Sequence, residues 1–126
     1  MADKEYNRLA GIKYRSTQKG KGNILLRHAK NRSLKKNLDF NLDQDWLNEK
    51  LNYGKCVLSN ISFNFSVKED LHFNPFAPSI DRIDPKKGYT KDNCRIILVC
   101  LNLALGQWGM NTYLQVAKAV IDTQNE

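Results

Sequence analysis

No stretch of this 126-residue chain approaches the roughly 18 consecutive apolar residues that a membrane-spanning helix requires. Its first residues, MADKEYNRLAG, also lack the apolar segment of a secretory signal, so a soluble, cytoplasmic protein is expected. Cysteine is scarce: Cys56, Cys94 and Cys100 form neither an even set nor a Cys-x-x-Cys pair, which predicts reduced thiols in a reducing compartment. Histidine is scarcer still. With only His28 and His72 to supplement three unpaired cysteines, the four well-spaced ligands of a structural zinc site are missing.

Acidic residues are nearly absent from the first third. Positions 1–36 carry eleven Lys and Arg against Asp3 and Glu5, a local charge of +9, whereas nine basic and eleven acidic residues leave the remainder at −2. A concentrated cationic segment on a near-neutral body suits a polyanion, because each cation placed near a phosphate releases condensed counterions. It equally suits a solvated tail that only promotes solubility, and charge by itself does not separate the two readings. A membrane surface fits less well, since no apolar face with bulky aromatics accompanies the charges.

What is present is enough for one modest core. A length of 126 residues with 41% hydrophobic content predicts a single domain and no second independent one. Residues 1–22, polar and interrupted by Gly11, Gly20 and Gly22, are expected to form a basic, loosely docked arm, with the domain proper running over 23–126. From Asn23 to Lys36, apolar residues interleave with Arg27, Lys30, Arg32, Lys35 and Lys36, predicting an amphipathic basic helix. Leu38, Phe40 and Leu42 alternate as a short extended piece, and Asp43 predicts an N-cap for a helix that buries Trp46, Leu47 and Leu51 and stops at Gly54. Residues 55–66 predict a hairpin turning at Asn60, with Phe63 and Phe65 on one face. A strand over 80–83 and a turn at Asp84 to Gly88 follow. A helix capped by Thr90 and running through Ile96–Leu105 to Gly106 comes next, and a last helix is expected over about 111–123.

The segment Pro78-Ser-Ile-Asp-Arg-Ile-Asp-Pro-Lys-Lys-Gly-Tyr-Thr-Lys-Asp-Asn93, continued to Asn102, reads as strand, tight loop and helix. Such a unit can hold a hard cation between a strand carboxylate, Asp81, and a helix carboxamide, Asn102, with water and phosphate filling the other positions, as Mg²⁺ prefers. If Asn102 faces the ion, helical spacing puts Arg95 on the same stripe, toward phosphate. Taken singly, the same residues also read as a turn aspartate and a helix-surface asparagine.

The longer pattern resembles the HNH endonucleases, the ββα-metal or His-Me finger family, and within it a phage and bacterial subgroup. The matching residues are Pro78, Ser79, Ile80, Asp81, Arg82, Ile83, Asp84, Gly88, Tyr89, Asn93 and Asn102. Cys56-Val-Leu-Ser-Asn60 resembles the hairpin that opens the family's domain, and Gly106-Gln-Trp-Gly109 its common ending, so the likeness covers about residues 23–120. It implies an α+β fold in which a ββα-metal unit follows a basic N-terminal helix and a second helix before the hairpin, and precedes a C-terminal helix. It also implies Mg²⁺ or Mn²⁺ on Asp81 and Asn102, and Asn93 fastening the loop, with Asp84 and Tyr89 stabilising it. Double-stranded DNA would be the substrate, in a bacterial or phage-infected cell, with Arg27, Lys30, Arg32, Lys35, Lys36 and Arg95 on its backbone.

One departure matters. Where most HNH enzymes carry a histidine that deprotonates the attacking water, this chain has Arg82, which is permanently protonated and can only neutralise phosphate. Either another group, His72 or Tyr89, is the base, or the fold binds nucleic acid without cutting it. A third reading is a structural or interaction component of a phage particle whose basic arm contacts protein. Cys94 and Cys100 are expected to pack in the core, and His28 to lie on the surface, facing DNA.

Overall fold

The computed structural model describes residues 4–67 and 74–126. The chain is a mixed α+β structure with five helices and a two-stranded antiparallel sheet among the described residues. In order these are α1 (Lys4–Arg15), α2 (Gln18–Lys36), α3 (Gln44–Tyr53), β1 (Pro78–Arg82), β2 (Cys94–Leu98), α4 (Val99–Leu105) and α5 (Gly109–Gln124). None of these helices is long and apolar enough to cross a membrane.

The start of the basic helix is corrected. Residues 4–15 are helical, and the basic helix begins at Gln18 rather than Asn23, capped by Thr17, whose hydroxyl accepts from the Gly20 amide at 3.0 Å. Gly20 and Gly22 are buried inside α2 instead of breaking it. Gly20 is there for close approach: a β-carbon at this position would collide with the carbonyl of Tyr14 at the end of α1. Glycine therefore lets α1 fold back at the α1–α2 turn.

Two predicted boundaries hold for their expected reasons. Asp43 Oδ1 accepts from the Trp46 amide at 2.8 Å, and Gly54 closes α3 in the left-handed region at φ 78°. Residues 55–66 are tighter than a hairpin ladder. Lys55 and Ser62 form a single bridge around Asn60, which adopts φ 62°, and Phe63 and Phe65 are half-buried against the core.

The largest correction falls on residues 90–98. Thr90 opens a turn, accepting from the Asn93 amide at 3.0 Å, and Cys94–Leu98 form β2 before the helix starts at Val99. The β-branched pair Ile96 and Ile97 fits a pleated surface, and β1 requires a hydrogen-bonded neighbour. The register sets Asp81 opposite Arg95 and Ser79 opposite Ile97.

The pleat divides the core in two. Cys94, Ile96 and Ile80 join Leu25 and Ala29 of α2 and Trp46, Leu47 and Leu51 of α3, while Ile97 and Leu98 join Leu101, Leu105 and Cys56 with α4. Asp81, Arg95 and Ser79 alternate with the first set, so their side chains fall on the face that α4 covers.

Candidate active site

β1, β2 and α4 converge on one cavity of about 230 Å³ beside the loop that joins the two strands. Its lining includes Asp81, Asn102, Arg82, Arg95, Arg32 and Tyr89. Asp81 and Asn102, 21 positions apart in the chain, are thus brought to one space, with three guanidinium groups and a single carboxylate among the lining side chains. The wall contains no histidine among the described residues.

Asn102 is aimed by its amide nitrogen, which donates to Ser79 Oγ at 3.1 Å and to the Ile80 carbonyl at 3.3 Å. Ser79 in turn donates to the Ile97 carbonyl at 3.1 Å, tying the helix to both strands. The carboxamide oxygen accepts no hydrogen bond among the described residues, so the one atom suited to a hard cation is left over. Ser79 was legible in the motif without a role; its position directly across from Ile97 gives it one.

Asp81 is mostly buried, with 14% of its side chain exposed, and its Oδ2 accepts from Arg95 Nε at 2.8 Å. The expectation that Arg95 shares a helical stripe with Asn102 is corrected: it lies on β2 and reaches Asp81 as its cross-strand partner. Asp81 Oδ1 carries no hydrogen bond among the described residues. A carboxylate oxygen and a carboxamide oxygen in one polar cavity suit Mg²⁺ or Mn²⁺, which retain several waters. No cluster of three or more His, Cys, Asp or Glu side chains accompanies them among the described residues, so the protein's share of a metal shell would be small.

The loop between the strands is held by Asn93, which is buried. Its Nδ2 donates to the carbonyls of Gly88 at 2.8 Å and Asp84 at 3.1 Å, and its Oδ1 accepts from the Asp84 amide at 3.0 Å. Every polar atom of that side chain is used inside the loop, so it supports the site without reaching a substrate. Gly88 presses so closely on the backbone of Asp39 that any β-carbon would clash. Tyr89 continues the seam, donating its amide to the Asp39 carbonyl at 2.8 Å and accepting from Asn41 at 3.1 Å.

Tyr89 is 4% exposed, and its ring forms a platform for two guanidinium groups. The Arg82 guanidinium lies 4.8 Å from its ring centroid and that of Arg32 5.7 Å, while Arg82 Nη1 also donates to the Lys87 carbonyl at 3.1 Å. Of the five cations expected along α2, all exposed, Arg32 alone reaches this cavity; Arg27, Lys30, Lys35 and Lys36 stay on the helix surface. His72 lies outside the described residues. Cys94 is buried, and burial pushes its thiol up to about 11, so at neutral pH it packs as an apolar group; Cys100, expected in the core, is exposed.

No protein-family model, curated protein or solved structure matches the chain.

Proposed function

We propose that this chain is a metal-dependent endonuclease that hydrolyses phosphodiester bonds of double-stranded DNA, with β1, β2 and α4 as an HNH-type ββα-metal unit. The observation carrying this reading is the convergence of Asp81, Asn102 and three guanidinium groups on one cavity, continuous with a basic helix. That combination fits a phosphate bound next to a divalent cation, and it fits neither an apolar ligand nor a cationic one.

In this reading Asp81 and Asn102 would hold the cation, and Ser79 fixes the Asn102 carboxamide by accepting from its amide nitrogen. Bound there, Mg²⁺ or Mn²⁺ supplies charge stabilisation to the attacked phosphate and the departing 3′ oxygen. Arg82 and Arg32, braced on Tyr89, take the non-bridging oxygens, and Arg95 adds a third positive group. Arg27, Lys30, Lys35 and Lys36 grip the flanking backbone without reading sequence. Arg82 is permanently protonated and does not deprotonate water, so in this reading the step would fall to another group, His72 or Tyr89.

Supercoiled plasmid incubated with the protein and Mg²⁺ or Mn²⁺ should be nicked, and Asp81→Ala or Asn102→Ala should slow nicking by roughly 10³-fold while leaving salt-sensitive DNA binding in place. With His72 as that base, His72→Ala should lower the rate and erase its dependence on pH near neutrality. No nicking with either metal from pH 6 to 9 removes the enzyme reading.

The Arg95–Asp81 ion pair favours a second reading, a module that binds DNA through the same cavity without cutting it. A guanidinium held on the metal-binding carboxylate competes with a cation for it. Binding that withstands chelator, with no cleavage by the wild type or by Arg95→Gln, selects that reading; a gain of Mn²⁺ affinity in Arg95→Gln with cleavage retained selects the nuclease.

A further inference from the structure

The cavity beside the strand-joining loop is more positive than a cation site on its own would be. Arg32, Arg82 and Arg95 against the single carboxylate of Asp81 give its described lining a formal charge of +2. A divalent cation entering the free protein is therefore opposed, and the carboxylate it needs is already engaged, since Asp81 Oδ2 accepts from Arg95 Nε at 2.8 Å. Water weakens this pair little. Its side chains are 24% and 14% exposed, whereas those of Lys91 with Asp43 and of Lys118 with Asp122 lie open to solvent.

The pair also leaves atoms unused on both partners. Arg95 engages Asp81 through Nε alone, so its two terminal nitrogens carry no hydrogen bond among the described residues, and neither does Asp81 Oδ1. Terminal guanidinium nitrogens match the non-bridging oxygens of a phosphodiester in geometry and charge. Held opposite Asp81 by the β1–β2 register, and lining the same cavity, Arg95 is placed to touch the carboxylate and a phosphate at once. Arg82 and Arg32 are not so placed: they lie over the Tyr89 ring, and neither pairs with Asp81. A phosphate in the cavity cancels charge that opposes the cation, and it draws Arg95's charge away from the carboxylate.

We infer that Arg95 couples the two ligands, keeping Asp81 and Asn102 weak toward a divalent cation until a DNA phosphate enters the cavity. The inference rests on the proposal that Asp81 and Asn102 are the cation's ligands. Linkage makes the coupling reciprocal, so the cation strengthens phosphate binding by the same factor. The free protein is then largely unloaded, and its site is completed on DNA.

Electron paramagnetic resonance of free Mn²⁺ measures the affinity of the full chain, alone and with an excess of a short DNA duplex. Identical mixtures containing Asp81→Asn account for Mn²⁺ held by the duplex itself. The duplex should tighten the Asp81-dependent site of the wild type by about tenfold or more. Arg95→Gln without DNA should bind Mn²⁺ about tenfold more tightly than the wild type, and the duplex should then add about threefold or less. A wild type that binds Mn²⁺ equally well with and without duplex overturns the inference and leaves the nuclease reading standing. So does Arg95→Gln coupled as strongly as the wild type. Absence of any Asp81-dependent site, with or without duplex, removes the proposed cation ligands and this inference with them.

Discussion

Helices α2 and α5 are of similar length and both present many side chains to solvent, yet they are anchored in opposite ways. α2 buries Gly20, Gly22, Leu25, Ala29 and Ser33 at intervals along its whole length, so its cations project from a rigidly seated scaffold. α5 buries nothing and meets the body through partly buried Met110 and Tyr113, near its start. Exposed charge on a seated helix is well solvated and needs no partner to be stable. Exposed apolar surface on an unseated helix remains unfavourable until another apolar surface covers it. Exposure therefore has a different meaning on each helix.

The contrast breaks most visibly in stability. Leu47 is fully buried in the cluster shared by α2, α3 and the sheet, and Leu47→Ala should cost about 3 kcal/mol in urea unfolding, from lost transfer energy and the cavity left behind. Val120→Ala should cost under ~0.5 kcal/mol. Comparable losses at the two sites would mean that α5 is seated within its own chain.

The next distinction lies within α2. Arg32 touches the Tyr89 platform and lines the cavity, whereas Lys35, one turn on, does not. Each alanine substitution should reduce the salt dependence of DNA binding by about one phosphate contact. Of the two, only Arg32→Ala should also slow cleavage at saturating DNA, by about tenfold, because Arg32 lines the proposed site and Lys35 does not. Equal effects on the cleavage step would demote Arg32 to one more backbone contact.

Local chemistry explains which of these features could be read in advance. Asp43 and Gly54 announced their helix because capping is decided within four residues, and Trp46, Leu47 and Leu51 were legible as core from their spacing. The pairing of Asp81 with Asn102 came from a motif, and the described structure brings both to one cavity. What misled was the run Ile96–Leu105, where a strand passes directly into a helix with no glycine or proline between them, so periodicity merged two elements. Arg95 was consequently placed on the wrong element, although its proximity to the site survives through the β1–β2 register. Gly20 and Gly22 misled for the converse reason. A glycine that permits close packing has the same letter as one that loosens a loop, and the carbonyl of Tyr14 that distinguishes them is supplied by the neighbouring helix.

The smallest effect concerns His28, on the exposed face of α2. Partial burial of its ring, and then the nearby charges of Arg27, Arg32 and Lys21, hold it below its ordinary 6.5. In the free protein it is therefore neutral at pH 7. A phosphate bound along this helix neutralises those cations and favours the imidazolium, so the pKa rises on binding and a proton is taken up. Affinity for a DNA duplex should then fall by about two- to threefold as pH rises through the range in which the histidine loses its proton. For the fold the sign is opposite: a depressed histidine binds fewer protons folded than unfolded, so its contribution weakens stability as pH falls below 6.5. Fluorescence anisotropy of a labelled duplex measures the binding trend, and His28→Ala should flatten it while leaving affinity at pH 7.5 unchanged. A slope that survives in His28→Ala would place the proton elsewhere and leave His28 off the DNA-facing side of the basic helix.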